Sequence, residues 1–252
     1  FVMSYALTSS SWNNGYRIVG FIQLGIAVLL FATLPVWKVN QSKSAAEQKH
    51  VGMAGVMKMK GVPFLLIGFF AYCAAEATAM SWASTYFAEV KGISAEQAAQ
   101  FASLFYIGIT VGRFLSGFIA DKFGDRKMIF FGACILFCGI ISLLIPTQSP
   151  TMALIGFVVI GFGCAPIYPS IIHSTPENFG RNNSQAVMGV QMAFAYVGTC
   201  LMPPVFGLIA NGVSVSLFPL YLLLGLVVMV LMHEKMLLKK SAGLAGKRAV
   251  SN

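Results

Sequence analysis

The sequence predicts an all-α integral membrane protein with seven transmembrane helices, the last six arranged as a 3+3 inverted repeat. The first observation is composition: 57% of the 252 residues are hydrophobic and only 10% are charged. Soluble domains carry about 25% charged residues, so this chain cannot cover a water-facing surface, and its outer surface must face lipid. The other two observations are a set of seven long apolar runs and a sequence pattern that recurs 90 residues later, as at Tyr106 and Tyr196.

Each apolar run is long enough to span the bilayer as a helix, which needs about 20 residues. The runs are uniformly apolar and do not alternate with period two, which excludes the strands of a membrane barrel. The seven predicted spans are Tyr16–Trp37, Val62–Tyr86, Ala98–Ala120, Met128–Ile145, Met152–Ile172, Ala186–Ala210 and Ser216–His233.

Basic residues predict the orientation of these spans. With the exceptions of Arg17, Lys91 and Arg113, all of them lie on one side of the membrane if the seven spans alternate in direction. They occupy the loops 38–61, 121–127 and 173–184 and the C-terminal tail. Because cytosolic loops carry an excess of Lys and Arg, we expect this side to be cytosolic and the protein to be a multi-pass protein of the plasma membrane.

The loop 38–61 is the longest connection and predicts a division of the chain. The opening sequence FVMSYALTSSSW is typical of the end of an earlier hydrophobic segment, so we expect a preceding N-terminal half of the same protein as a partner. A plain loop within one domain is the alternative for 38–61. The predicted regions are 1–37 (the remnant of a span plus one helix), 38–61 (a cytosolic linker), 62–236 (a six-helix unit) and 237–252 (a basic cytosolic tail).

The recurring pattern predicts the inverted repeat. The segments YIG at 106–108 and GFIAD at 117–121 return as YVG at 196–198 and GLIAN at 207–211. The copies lie in the third and sixth spans, so the two run in opposite directions, as in many secondary transporters. Chance similarity between apolar segments rich in Gly and Ala is the alternative.

Glu76 is the leading candidate for chemistry. It lies 14 residues into its span, about 20 Å along a helix that rises 1.5 Å per residue. A charged carboxylate facing lipid there costs at least a few kcal/mol, so the side chain must face the bundle interior or a cavity. Burial favours the neutral carboxyl, which suits a group that loads and releases a proton. Tyr72, one turn earlier, shares its face; a purely structural Glu hydrogen-bonded to neighbouring helices is the alternative.

A second candidate segment is Gly161–Pro169, in which two prolines lack backbone donors and should distort the helix. Carbonyls freed in mid-membrane are tolerated where they line a cavity. Pro166 is the repeat counterpart of Glu76, although a simple packing kink is the alternative. Further candidates for a substrate cavity are Tyr72, Trp82, Tyr106, Gln191 and Tyr196.

Several functional classes are not supported by the sequence. No GxSxG, HExxH, Walker or GxGxxG motif has a suitable context, so we expect no enzyme activity and no cofactor. The five cysteines lie in apolar stretches without ligand spacing, and the histidines are read as interfacial, so we expect no metal site. No basic-aromatic run predicts contact with nucleic acid. The expected partners are the lipid bilayer, protons and a small solute.

The segment GFIADKFGDRK at 117–127, preceded by GR at 112–113, resembles the cytosolic loop signature of the major facilitator superfamily, G-x-x-x-D-x-x-G-x-R-K. The resemblance implies a major-facilitator-type helix bundle in which these spans are six to twelve: the C-terminal half plus the last span of the N-terminal half. It also implies a cytosolic charge cluster that locks the inner face closed and breaks during transport. The implied gate residues are Arg113, Gly117, Asp121, Gly124, Arg126 and Lys127.

A narrower resemblance concerns the segments FFAYCAAEATAMSW at 69–82 and GFGCAPIYP at 161–169. They are similar to bacterial permeases of the fucose/sugar:proton symporter type. The resemblance implies proton-coupled transport of a small polar solute, a sugar, by alternating access. A drug or metabolite exporter of the same superfamily is the alternative, followed by a non-transporting receptor or channel.

Overall fold

A computed structural model of the chain describes residues 12–37, 52–145 and 150–250. It divides into two compact units, residues 1–49 and residues 50–252, which are described separately. In the first unit, helix α1 (Trp12–Thr33) continues into a short 3-10 turn, Leu34–Trp37. Most of the predicted linker 38–61 falls outside the described residues.

In the described part of the second unit, all regular secondary structure is helical. Its long helices are α3 (Val62–Glu89), α4 (Ala95–Phe123), α5 (Asp125–Leu144), α6 (Pro150–His173), α8 (Arg181–Gly212) and α9 (Phe218–Val250). Two short helices, α2 (Met53–Met57) and α7 (Thr175–Phe179), and a 3-10 turn (Val215–Leu217) lie between them.

The predicted all-α membrane fold is confirmed, because seven helices of the described chain are long and apolar enough to cross a membrane. Each coincides with a predicted span, usually extended by a few residues at one or both ends. Helix α6 remains helical through Pro166 and Pro169, and α8 through its two prolines. The segment predicted as a basic tail continues α9 as far as Val250.

Packing among the six long helices follows the predicted 3+3 repeat. The first three are α3, α4 and α5, and the last three are α6, α8 and α9. Helix α3 packs most extensively on α8 and α9 of the other set, while α6 packs most extensively on α4 and α5. Each set therefore places its first helix between the last two helices of the other, which is the exchange expected for two copies related by a pseudo-twofold axis.

A pair of glycines makes this packing possible. Gly108 on α4 approaches α6 so closely that a Cβ atom would collide with the backbone at Val158 and Phe162. Gly198, its counterpart on α8, approaches α3 in the same way, and a Cβ atom there would lie 2.8 Å from the carbonyl oxygen of Phe70. Small residues let membrane helices approach closely, so the repeated glycines fix equivalent helix crossings.

The tight turn between α4 and α5 depends on Gly124, which has a φ of 75°. The left-handed region is open to glycine at no steric cost, which lets the chain reverse direction within a short turn. At the other end of α4, Ser94 caps the helix by accepting a hydrogen bond from the Gln97 backbone N–H. Glycine and serine thus set the length of α4.

The loops that were predicted to be basic meet at one end of the six-helix unit. There the Arg126 side chain reaches Glu234 on α9, and Lys240 donates to the side chain of Asn178 in α7. At the opposite end, Lys91 donates to the Ile145 carbonyl. The structure therefore brings together the chain segments that the charge pattern assigned to a single side.

Candidate functional site

Glu76 lies inside the six-helix unit, in the middle of α3, and is partly buried. It lines a small cavity of about 10 Å³ whose other walls come from α5, α6 and α9, represented by Leu136, Ile160 and Leu222. A cavity needs about 10–15 Å³ to hold one water molecule, so this one is at the lower limit for a single water. Among its described lining residues, Glu76 is the one acidic side chain.

Tyr72 fixes α3 against α6 one turn before Glu76. Its hydroxyl donates a hydrogen bond of 2.9 Å to the backbone carbonyl of Cys164, and the side chain is only 2% exposed. The neighbouring ring of Phe69 packs against Tyr168 with centroids 5.1 Å apart. The predicted role of Tyr72 as a partner of Glu76 or of a substrate hydroxyl therefore competes with a bond to the backbone of α6.

Arg113 on α4 is a basic residue within electrostatic range of Glu76. Its charge interacts with that of Glu76, although within the described residues the two do not form an ion pair. Arg113 is exposed and lines a larger groove of about 670 Å³. The groove runs along α4 from Arg113 to the α4–α5 turn, so it connects Arg113 with the signature loop.

The larger groove collects most of the predicted gate residues. Gly117, Asp121 and Gly124 line it together with Arg113. It also contains a hydrogen-bonded pair that was not predicted from the sequence, in which His173 Nδ1 lies 2.8 Å from Asp125 Oδ2. The available signal was an acidic residue inside the signature loop, but its pairing with the end of α6 depends on the tertiary fold.

Arg126 and Lys127 are not drawn into a cluster with Asp121. Arg126 instead forms an ion pair of 2.9 Å with Glu234 on α9. Lys127 is exposed, and both residues line a separate depression of about 320 Å³ beside the turn. The structure therefore joins Arg113 to Asp121 through a common groove and joins Arg126 to the last helix.

Of the three aromatic candidates described next, one is held in place by a hydrogen bond and ring packing, and two are exposed. Trp82 donates its indole N–H to the carbonyl of Pro203 at 3.0 Å and packs edge-on against Phe206. Tyr106 and Tyr196, the repeat counterparts, are 56% and 69% exposed. Their hydroxyl groups are therefore accessible from outside the six-helix unit.

Pro166 and Gln191 do not line the groove that contains Arg113. Pro166 is buried in α6 and packs against Gly132 on α5, so the structure does not bring it beside Glu76 as a second polar element. Gln191 is fully buried on α8, where its side-chain oxygen lies 3.1 Å from the Thr175 hydroxyl, and its Nε2 has no partner in the described structure. Neither residue presents a polar group to an open cavity.

Potential metal ligands do not gather in the described residues, where no three of His, Cys, Asp and Glu come together at ligand distance. The five cysteines are free thiols. The polar groups available for chemistry are thus a carboxylate within the bundle, an arginine across from it and hydroxyl groups on the exposed helix faces.

Comparison with known proteins identifies a matching family, the Major Facilitator Superfamily, whose matches cover residues 1–203 and 65–246. An uncharacterised transporter of this type from Yersinia pestis is 28% identical over 77% of the chain and 50% of its own length. A glucose/galactose transporter from Brucella abortus is 26% identical over 76% of the chain and 46% of its own length. The chain thus spans about half the length of the curated relatives it matches.

Two solved structures of FucP share the fold. The crystal structure of FucP in the outward conformation aligns with a TM-score of 0.70 at 18% identity, covering 89% of this chain and 54% of that protein. The E. coli fucose:proton symporter aligns with a TM-score of 0.72 at 16% identity, covering 92% and 58% respectively. The matched relatives with a stated activity are transporters rather than enzymes.

Proposed function

Because this chain belongs to the major facilitator superfamily, we propose that it forms part of a secondary active transporter that couples movement of a sugar to movement of protons by alternating access. Its six-helix unit would rock against a preceding half of the same protein around a site near mid-membrane. The loop 38–61 and the C-terminal segment would lie in the cytosol of a cell whose plasma membrane holds the protein.

The position of Glu76 carries this proposal. Its carboxyl group lies in the middle of α3, beside a cavity with room for at most about one water molecule. An ionised carboxylate is costly in such a dry setting, whereas the neutral acid is tolerated. A change in water access during the transport cycle would therefore bind or release a proton at this residue.

Arg113 supplies the opposing charge. It interacts electrostatically with Glu76 from α4, a different helix. A movement of α4 relative to α3 would change this interaction and with it the balance between the ionised and neutral carboxyl. Since Arg113 shares a groove with Asp121 at the α4–α5 turn, the same movement would link protonation to the proposed cytosolic gate.

The choice of a sugar is supported by the named relatives and by the exposed side chains. Two curated relatives are named as glucose/galactose transporters, and they share about a quarter of their aligned residues with this chain. Sugars are bound through hydroxyl groups and flat ring faces, and Tyr106 and Tyr196 offer both on exposed helix surfaces. Trp82 offers only its ring, because its N–H is already bonded to α8.

Proton coupling is tested with the full-length protein in liposomes, by measuring uptake of labelled glucose or galactose with and without an inward proton gradient. Glu76→Gln keeps the size and hydrogen-bonding capacity of the side chain but cannot titrate. We expect the variant to lose gradient-driven accumulation and to retain exchange of sugar across the membrane without a gradient. Glu89→Gln, at the exposed end of the same helix, is the matched control and should accumulate sugar normally.

Unchanged accumulation by Glu76→Gln would remove this residue from the coupling mechanism. Loss of both accumulation and exchange, with the unfolding temperature of the protein unchanged, would assign Glu76 to substrate binding instead. Wild-type protein that takes up neither sugar, but expels a lipophilic cation under the same gradient, would favour an exporter.

A further inference from the structure

A second groove lies next to the polar one, between α4, α5 and α6, and shares Ser116 and Met128 with it. Its volume is about 270 Å³, and its lining is apolar apart from the hydroxyl of Ser116. The rims are formed by large side chains that remain partly open, including Leu115 at 44%, Ile119 at 42% and Phe131 at 47% exposed. Such a surface faces acyl chains rather than water.

The groove exists because its floor is made of residues that allow the helices to approach. At Gly112, a Cβ atom would collide with Ala165 and lie 3.0 Å from the Phe162 carbonyl. At Gly132, a Cβ atom would lie 2.7 Å from the Gly163 carbonyl. The floor is therefore closed against α6 by tight backbone packing, while the larger side chains of α4 and α5 stand up as walls.

The length of the groove matches one leaflet of a bilayer. Its α4 wall runs from Gly112 to Phe123, which spans about 16 Å at a rise of 1.5 Å per residue. Half of the hydrocarbon core measures about 15 Å. An acyl chain lying along the groove would thus begin at the α4–α5 turn and end near the middle of the membrane.

Two lysines on α4 and α5 lie close to this turn, outside the groove lining itself, and Lys127 also lines the separate depression that contains Arg126. Lys122 follows Ile119 by three residues on α4, and Lys127 precedes Phe131 by four on α5, so each lies on the same helix face as a wall residue. Both are exposed, and in the described structure neither forms an ion pair. A phosphate placed between them would be attracted by two ammonium groups.

We propose that this groove binds an anionic phospholipid of the membrane, with one acyl chain between α4 and α5 and the phosphate held by Lys122 and Lys127. The bound lipid would fill a surface depression between three helices whose backbones approach one another closely at glycines. It would also place a negative charge beside the turn whose charged residues are proposed to form the gate.

The proposal is tested by native mass spectrometry of the full-length detergent-purified protein, titrated with phosphatidylglycerol or phosphatidylcholine carrying the same acyl chains. We expect the wild type to bind phosphatidylglycerol more tightly than phosphatidylcholine. The double variant Lys122→Gln, Lys127→Gln should bind phosphatidylglycerol about tenfold more weakly than the wild type, while its phosphatidylcholine binding stays unchanged. The control is Lys58→Gln, Lys60→Gln, which removes equal charge from the same end of the molecule beside a different groove. Its affinity should stay within about twofold of wild type.

The acyl-chain part is tested separately by Ile119→Trp, which fills the groove from its rim. This variant should bind both lipids several-fold more weakly, whereas Phe130→Trp, at an exposed position of α5 outside the groove, should not. Equal affinity of the wild type for the two lipids would overturn the proposal. So would equal losses in the two lysine double variants, or unaltered binding in Ile119→Trp.

Discussion

Helices α3 and α6 hold equivalent places in the two copies of the repeat but carry different side chains at matching positions. Glu76 on α3 corresponds to Pro166 on α6, and Tyr72 corresponds to Phe162. The next helices differ in the same way, because Arg113 of α4 is matched by a proline of α8. The first copy thus contains the ionisable groups of the candidate site, and the second contains uncharged residues in their places.

The close helix contacts, by contrast, are retained in both copies. Gly108 and Gly198 allow the same kind of crossing on opposite sides of the molecule. The repeat therefore preserves the small residues that the fold needs at helix crossings and leaves the remaining positions free to diverge. The ionisable groups of the candidate site accordingly lie in one copy, on a framework made by both.

The largest expected effect concerns the shared packing. Gly108→Ala should lower the free energy of unfolding by about 3 kcal/mol, because overpacking a close backbone contact costs about 1–3 kcal/mol or more. Gly198→Ala should cost about 1–2 kcal/mol, since its neighbours are less tightly placed. Denaturant titration in detergent micelles measures both. Gly189→Ala has open space around the new methyl group and should not destabilise the protein; equal stability of all three variants would contradict the packing argument.

The second prediction concerns charge at the proposed gate. Asp121→Asn makes the first copy resemble the second, which has Asn211. It should reduce sugar uptake about tenfold, because it removes the negative charge that shares a groove with Arg113, and coupling between two sites is typically worth about 1–3 kcal/mol. Its stability should barely change, since Asp121 is exposed. Initial uptake rates in liposomes provide the measurement. The reverse change, Asn211→Asp, should leave uptake within about twofold, and a similar loss in both variants would show that the asymmetry has no functional meaning.

The smallest expected effect concerns the bond between α3 and α6. Tyr72→Phe removes the hydroxyl that reaches the Cys164 carbonyl and should cost about 1 kcal/mol of stability, the usual value for a buried hydrogen bond. Tyr168→Phe is the control, because its hydroxyl contacts only the weakly accepting sulfur of Met192 at 3.3 Å. A thermal unfolding series compares the two variants. Equal losses would mean that the Tyr72 bond adds nothing to packing.

Much of the fold could be predicted from the sequence because a bilayer imposes simple requirements. Apolar length identified the seven spans, basic loops identified the end at which the chain segments meet, and the recurrence of Tyr106 at Tyr196 identified the repeat. Gly124 could be assigned a positive φ because only seven residues separate two predicted spans. These features are local or periodic, so no knowledge of the tertiary packing was needed.

The details of the site could not be predicted in the same way. The partner of Arg126 is Glu234, more than one hundred residues away, and nothing in the loop signature points to it. Gln191 was expected in a cavity because it is polar in an apolar helix, but the short helix α7 covers it and supplies a hydroxyl partner. Helix α7 has five residues, too few for a hydropathy pattern to detect.

The Thr175 hydroxyl lies near two acceptors but has a single hydrogen to give. It is 3.0 Å from the carbonyl of Ile171 at the end of α6 and 3.1 Å from the side-chain oxygen of Gln191 on α8. If the hydrogen points to Ile171, the amide of Gln191 is best served by turning its NH₂ group toward the threonine oxygen; if it points to Gln191, the amide turns back. One rotating O–H bond therefore sets the orientation of an amide on a neighbouring helix, in the interior where no solvent can substitute for either partner.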